Sequence, residues 1–314
     1  MEVKSKNKRR IPKPEVALKE YWDDNDRFAD LFNTCLFGGH KLINPENLKE
    51  CDTDESAIID YKNGMIESVK RHRDIAKSYN KGLDLVIIGI ENQQKVHYGM
   101  PVRNMVYDSL NYTKQCKGFV KETKSKSSNA EFLSGMKKGN KINPVISLVI
   151  YYGECDDWDG PLSLSEMTNI PAEIKPYFND YKINLISIKD TDNFSFEYED
   201  NKKFFEISKY LYKAGKKINL VELNDKFPDL QLNQETLLAI GAATGSSSFM
   251  KLAMENKEEE INMCEAIKTL MEQGKTEGKA EGKAEVAKKL LNLNMPIEQI
   301  VEVTGLTKEE IEKL

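Results

Sequence analysis

Apolar and polar positions along the chain follow two different periods, one typical of helices and one of strands. Residues 28–36 carry apolar side chains at i, i+3, i+4, i+7 and i+8, which predicts an amphipathic helix. Residues 83–90 and 144–152 are almost continuously apolar, as expected for strands covered on both faces. The pattern predicts another strand over 183–188 and further helices over 100–112, 204–214 and much of 249–293. A mixed α/β fold follows.

A hairpin is predicted where residues 66–79 and 83–90 flank Asn80-Lys81-Gly82, because Asn and Gly tolerate the positive φ angles of a tight turn. A turn centred between Lys81 and Gly82 would place Asp74 opposite Gly89. Glu91, Gln93 and Lys95 would then share the face of Asp74.

Two carboxylates at that spacing suit a shared divalent cation, and a neighbouring polar donor completes what phosphodiester hydrolysis requires. Strand-borne acids at the end of an apolar run are costly unless they bind something. A second interpretation stays open at this point, in which Glu91 begins a solvated loop.

Composition further limits the metal ligands and binding partners that the chain can use. The 314 residues include 46 basic and 51 acidic side chains, a net charge of −5, which excludes a uniformly basic nucleic-acid coat. Five dispersed cysteines and three histidines argue against a thiolate or histidine-rich metal site and favour oxygen ligands for Mg²⁺. No apolar run approaches 18 residues, so we expect a cytoplasmic protein without a membrane partner.

The balanced charge conceals local patches. Residues 1–14 are basic, the predicted hairpin carries several Lys and Arg, and 117–141 holds seven lysines against two glutamates, whereas 255–285 is acidic. We expect the basic patches to surround the candidate site and to follow a DNA backbone.

Several segments together resemble the Rpn group of recombination-promoting nucleases and transposases, in the PD-(D/E)XK nuclease superfamily. The resemblance begins with IGIENQQK at 88–95, YGMPVR at 98–103 and YDS at 107–109, and the order of the segments, not any single one, makes it specific. Further segments match in order, namely RFADLFN at 27–33, RHRD at 71–74, PVISLVIYYG at 144–153 and WDGP at 158–161. The resemblance covers nearly all of the chain from about residue 21.

The resemblance implies an α/β fold with a restriction-endonuclease-like αβββαβ core and a C-terminal α-helical extension. It implies that Asp74 and Glu91 bind Mg²⁺ or Mn²⁺ and act in catalysis together with Gln93. Gln93 stands where the superfamily usually has Lys, and a neutral amide cannot stabilise an anion as an ammonium does.

The expected DNA contacts are Lys95, Arg103, Arg71 and Arg73. For Arg103 a salt bridge to Asp108 or to an acid of the first helix is an equal alternative. Asp30 could add an acid to the site, and a role at the helix boundary is as well supported.

The expected organisation has four parts: a basic arm over 1–20, a nuclease-like domain over 21–215, a charged helical connection over 216–285 and a helix-turn-helix-like unit over 286–314. In the last part Gly305 is a predicted C-cap and Thr307 with Glu310 a predicted capping box. Its final helix is net acidic and therefore suits contact with a partner, or self-association as a homo-oligomer, better than DNA.

The leading hypothesis is a metal-dependent DNA endonuclease linked to recombination, transposition or defence against mobile DNA. The alternative is a catalytically inactive nuclease fold that binds DNA or protein.

Overall fold

The computed structural model describes residues 10–51, 54–60, 66–72, 75–79, 83–88, 96–122, 135–153, 157–214, 220–256 and 258–314. Contacts divide the chain into two units. The first unit is Met1–Ile218 with Asn233–Lys257, and the second unit is Asn219–Leu232 with Glu258–Leu314.

The described strands are β1 (Leu48–Glu50), β2 (Asp54–Asp60), β3 (Ile66–His72), β4 (Ile75–Tyr79), β5 (Leu83–Ile88), β6 (Val145–Tyr151), β7 (Asn184–Ser187), β8 (Gln231–Asn233) and β9 (Glu260–Asn262). The described α-helices are α1 (Pro14–Asp23), α2 (Asn25–Cys35), α3 (Met100–Glu122), α4 (Glu199–Ala214), α5 (Leu220–Lys226), α6 (Gln234–Ala243), α7 (Ser247–Glu255), α8 (Met263–Asn292), α9 (Ile297–Thr304) and α10 (Lys308–Ile311). Short 3-10 turns occupy Pro45–Asn47, Ser165–Met167, Lys175–Tyr177 and Ile188–Asp190. The mixed α/β class predicted from the sequence is confirmed.

A five-stranded mixed sheet forms the centre of the first unit, in the order β1-β4-β5-β6-β7. β4 is antiparallel to both of its neighbours, whereas β5, β6 and β7 are parallel to one another. β2 and β3 pair separately as an antiparallel two-stranded ladder. The strands predicted over 144–152 and 183–188 are therefore confirmed, as β6 and β7.

Helix α3 connects the parallel strands β5 and β6 and covers one face of the sheet. Met100 and Tyr107 of α3 pack with Ala76 of β4 and Val149 of β6 in one apolar cluster. A crossover helix is the usual connection between parallel strands, because their ends lie at opposite edges of the sheet. The helix predicted over 100–112 is confirmed and continues ten residues further.

Helices α1, α2, α4 and α6 lie on the other side of the first unit around an aromatic core. Tyr21 stacks on Phe204 with 5.0 Å between ring centroids, and Trp22 meets the same ring edge-on at 5.5 Å. The indole N–H of Trp22 donates to the hydroxyl of Tyr152, just after β6, at 2.7 Å. Helix α1 begins at Pro14, inside the segment assigned to a basic arm, because Ala17 and the two aromatic residues after it are buried.

Buried polar groups fix helix α2 in this layer. Asp24 caps its first turn by accepting from the backbone N–H of Arg27 at 3.0 Å. The Arg27 guanidinium is buried and lies 2.9 Å from Asp200 and 2.6 Å from Glu235. These ion pairs raise the pKa of Arg27 despite the opposing effect of its burial. Two carboxylates from α4 and α6 therefore tie both helices to α2.

The second unit contains α5, the β8–β9 ladder and the helices α8, α9 and α10. Helix α8 is continuous through Gly274, Gly278 and Gly282. The predicted αL C-cap at Gly305, with φ +64°, and the capping box of Thr307 with Glu310 are both confirmed. Among the described residues, none of the helices combines the length and apolar character needed to cross a membrane.

Candidate active-site edge of the sheet

Four strand ends of the central sheet meet at one edge, which we call the carboxyl edge. β5, β6 and β7 end there, and β4 begins there because it is antiparallel to β5. Ile75, the first residue of β4, pairs with Ile87 near the end of β5. Ligand sites in open α/β sheets commonly lie at the carboxyl ends of parallel strands, so this edge is the natural place for a site.

Several predicted site residues lie outside the described residues: Asp74, Glu91, Gln93, Lys95 and Arg73. In the sequence, Asp74 directly precedes β4 and Glu91 is the third residue after β5. The structure thus brings together the two strand ends that adjoin the predicted catalytic residues in the chain.

The predicted hairpin register is wrong by one residue. The predicted register pairs Tyr79 with Asp84, but Tyr79 pairs with Leu83 and Ile75 with Ile87. Three residues, 80–82, separate the paired ends instead of a two-residue turn. The first arm is also not one strand, because β3 pairs with β2 and only β4 pairs with β5.

Lys77 departs from the expected basic surface, whereas Arg71 stays a predicted DNA contact. Arg71 belongs to β3 and pairs with Glu55 in the separate two-stranded ladder. Lys77 lies in β4 with only 1% of its surface exposed, and its Nζ donates to the carbonyl of Asp23 at 2.6 Å and to Oδ1 of Asn25 at 2.8 Å. Lys77 is therefore a buried residue that connects β4 to the α1–α2 junction by hydrogen bonds, and not a DNA contact.

Arg103 occupies the first turns of α3, next to the carboxyl edge. Its guanidinium lies 5.6 Å from the centre of the Tyr107 ring and donates to the Tyr107 hydroxyl at 3.3 Å. Tyr107 is buried, so the ring that Arg103 contacts belongs to the core. A half-buried arginine at this end of α3 can contact a phosphate.

Asp108, the alternative partner considered for Arg103, belongs to a buried polar group beneath α3. It accepts from the hydroxyls of Ser147 and Tyr181, each at 2.5 Å. Asn104 donates to the same Tyr181 hydroxyl at 2.9 Å, and among the described residues its Oδ1 has no hydrogen-bond partner. This group joins α3 to β6 and to the segment that leads into β7.

The segments that follow β5 and β6 are in contact at the carboxyl edge. The Tyr98 hydroxyl donates to Asp159 at 3.2 Å, and this bond raises the pKa of Tyr98. A Cβ added to Gly160 would lie 2.7 Å from Cγ1 of Val96, so a larger residue here would force this side chain to shift. Trp158 packs edge-on against Tyr151 with 5.2 Å between ring centroids. The local pattern of 158–161 carries no signal for this contact with Tyr98.

Asp30 has a structural role at the boundary of α2. Its carboxylate accepts from the side-chain amide of Asn201 at 2.8 Å and from the backbone N–H of Glu197 at 3.0 Å. A cleft of about 420 Å³ lies beside it, lined also by Asp26 and Lys41. Lys41 pairs with Glu197 across this cleft, so the charges there are partly neutralised.

The described parts of the lysine-rich segment, 117–122 and 135–141, do not lie at the carboxyl edge, contrary to expectation. Residues 135–144 lead directly into β6, and the end of α3 packs beside them, so both lie at the opposite edge, which we call the amino edge. Seven residues of β6 separate the two edges, a distance of roughly 20 Å at about 3.3 Å per residue.

Metal ligation was expected from Asp74 and Glu91. Within the described ranges, no group of three or more His, Cys, Asp or Glu side chains is arranged to hold a metal ion. Carboxylate oxygens suit Mg²⁺ or Mn²⁺, so the chemistry of the expected donors fits such an ion.

Comparison of the chain with protein-family models, with curated proteins and with solved structures finds no match.

Proposed function

We propose that the protein is a metal-dependent DNA endonuclease of the Rpn type, linked to recombination, transposition or defence against mobile DNA. The observation that carries this proposal is the order of elements in the first unit. Helices α1 and α2 precede three strands of the central sheet, β1, β4 and β5, and α3 then crosses to the parallel strand β6. This order agrees with the αβββαβ core that the sequence resemblance implies, with β2 and β3 as an insertion.

The carboxyl edge supports the same proposal. Asp74 adjoins the start of β4 and Glu91 follows the end of β5, and these strand ends are neighbours. Asp74 and Glu91 would hold Mg²⁺ or Mn²⁺, which would supply charge neutralisation at the phosphate and an activated water. Gln93 would orient the water by hydrogen bonding, and Lys95 and Arg103 would contact phosphate oxygens.

Plasmid nicking in the presence of Mg²⁺ tests the proposal. We expect wild type to convert supercoiled plasmid to the nicked form and Asp74→Ala to lose this activity. Asp225→Ala is a matched control, because Asp225 is an exposed acid of α5 in the second unit. Equal nicking by wild type and Asp74→Ala would contradict the assignment of Asp74.

The second candidate function is a nuclease fold that binds DNA or protein without cleaving DNA, and the neutral Gln93 favours it. This alternative predicts salt-sensitive DNA binding and no nicking in Mg²⁺ or Mn²⁺. Gln93→Lys separates the two further, since an ammonium should increase nicking by an active site and have no effect where other catalytic groups are absent.

A further inference from the structure

Five exposed lysines lie on two adjoining segments at the amino edge. Lys114 and Lys117 are one turn apart in the second half of α3, and Lys137, Lys138 and Lys141 lie on the segment that leads into β6. We call these five residues the lysine surface.

Hydrogen bonds hold the two segments together. The side-chain amide of Gln115 donates to the carbonyl of Asn143 at 3.1 Å, and its oxygen accepts from the Asn143 backbone N–H at 2.6 Å. The backbone N–H of Val145 donates to the Tyr112 hydroxyl at 3.1 Å. The backbone N–H of Lys137 donates to the side chain of Asn140 at 2.6 Å, which orders the turn. The lysine surface therefore consists of two segments joined by hydrogen bonds.

The charged side chains of these two segments are all basic. Residues 111–119 and 135–144 contain no Asp or Glu, so they carry a formal charge of +5. Such a concentration of one sign attracts a polyanion. The surface lies roughly 20 Å from the carboxyl edge, the length of β6, and is therefore separate from the candidate active site.

We propose that the lysine surface binds the phosphate backbone of duplex DNA as a second contact region, remote from the carboxyl edge. The identity of the polyanion rests on the proposed function. Exposed lysines act as point charges and suit contacts with phosphates that do not depend on base sequence. At roughly 3.4 Å per base pair, 20 Å corresponds to about six base pairs between the two regions.

The residue types fit nucleic acid better than protein or lipid. Lysine is depleted at the centre of protein interfaces, where aromatic residues and arginine dominate the binding energy. Stable binding to a lipid surface needs an apolar face in addition to basic residues. Within the two segments Ile142 is the exposed large apolar side chain, with 39% of its surface accessible.

The salt dependence of DNA binding tests the proposal. Binding of a fluorescein-labelled 30-base-pair duplex is followed by anisotropy between 50 and 200 mM NaCl, with EDTA present to prevent cleavage. Each phosphate contact contributes about 0.9 to the slope of log affinity against log salt concentration. The triple variant Lys137→Gln, Lys138→Gln, Lys141→Gln should therefore lower the slope by up to about 2.7. Over this fourfold range, wild-type affinity should fall up to about 40-fold more than that of the variant.

The control removes the same charge elsewhere. Lys275, Lys279 and Lys283 are exposed on α8, where glutamates alternate with them in the sequence, and their replacement by Gln should leave the slope at the wild-type value. A thermal unfolding curve for each variant checks that the fold is kept. An unchanged slope in the first triple variant, or an equal fall in the control, would overturn the proposal.

Two further measurements distinguish a failure of the lysine-surface proposal from a failure of the Asp74 assignment. If the first triple variant loses binding to phosphatidylserine vesicles while its DNA slope is unchanged, the surface binds lipid and the proposal is wrong. If the DNA slope falls while Asp74→Ala still nicks plasmid, the lysine surface stands and the assignment of Asp74 fails. If the DNA slope is unchanged while nicking depends on Asp74, the assignment of Asp74 stands and the proposal for the lysine surface fails.

Discussion

Replacement of Lys77 by Met should destabilise the first unit, because it removes a buried cation from the contact between the sheet and the α1–α2 junction. The ammonium donates to the Asp23 carbonyl at 2.6 Å and to Asn25 Oδ1 at 2.8 Å, and it lies 5.7 Å from the Phe28 ring centre. Met keeps the apolar stem but cannot donate, so both acceptors lose a partner.

The magnitude follows from two opposing contributions. Hydrogen bonds to a charged group stabilise the fold by about 1.5–3 kcal/mol each, so two bonds contribute about 3–6 kcal/mol. Removing the ammonium also removes its desolvation cost, which offsets part of this loss. We expect the free energy of unfolding to fall by about 2–4 kcal/mol. For a unit of this size, the melting temperature should fall by roughly 4–16 °C.

Urea unfolding followed by tryptophan fluorescence measures this loss directly. The chain has two tryptophans, and both Trp22 and Trp158 lie in the first unit. Lys49→Met is the matched control, because Lys49 is exposed on the neighbouring strand β1, and its effect should stay within about 0.5 kcal/mol. If Lys77→Met unfolds at the same urea concentration as wild type, the hydrogen bonds only balance the desolvation of the ammonium and the reasoning is refuted.

Three further tests concern two glycines and a capping box. Gly241→Ala should destabilise the first unit by about 1–3 kcal/mol in urea unfolding, since its Cβ would lie 2.8 Å from the Met250 backbone nitrogen. Gly278→Ala in α8, where an added Cβ meets no described atom within 4 Å, should instead stabilise the helix by about 1 kcal/mol. A backbone hydrogen bond from Thr307 lowers the pKa of Glu310. The cap therefore stabilises the second unit at pH values above the unfolded-state pKa of Glu310. This stabilisation is lost as the pH falls through the lower pKa of the folded state. In an NMR titration, Glu310→Gln should remove this acid transition from the Thr307 amide signal.

Features determined by burial on both faces or by a few adjacent residues could be predicted from the sequence. β6 was predictable because its buried residues form one apolar run, and the Thr307–Glu310 box because a capping box is complete within four residues. Helix α3 was predicted too short, because its second half is held by Gln115 bonding to Asn143, a contact 28 residues away.

Pairing between strands depended on contacts that periodicity does not reveal. Residues 66–79 have the pattern of one long strand, yet β3 pairs with β2 and β4 joins the central sheet. The local sequence pattern also does not predict where the described lysines of 117–141 lie. Their position follows from the parallel order of β5 and β6, which sends α3 back across the sheet to the amino edge.

The one-residue change in register alters the argument for Asp74 and Glu91. Directly opposite residues of an antiparallel pair share a face, and a slip of one residue exchanges the faces, so the predicted shared face no longer supports a common ion. A common site is now supported by position alone. Ile75 pairs with Ile87, Asp74 directly precedes Ile75 in the chain, and Glu91 is the third residue after the end of β5. Residues outside a ladder need not follow its alternation, so a site at the carboxyl edge does not require the predicted register. The nicking experiment on Asp74→Ala therefore tests the edge itself, whichever way the strand faces alternate.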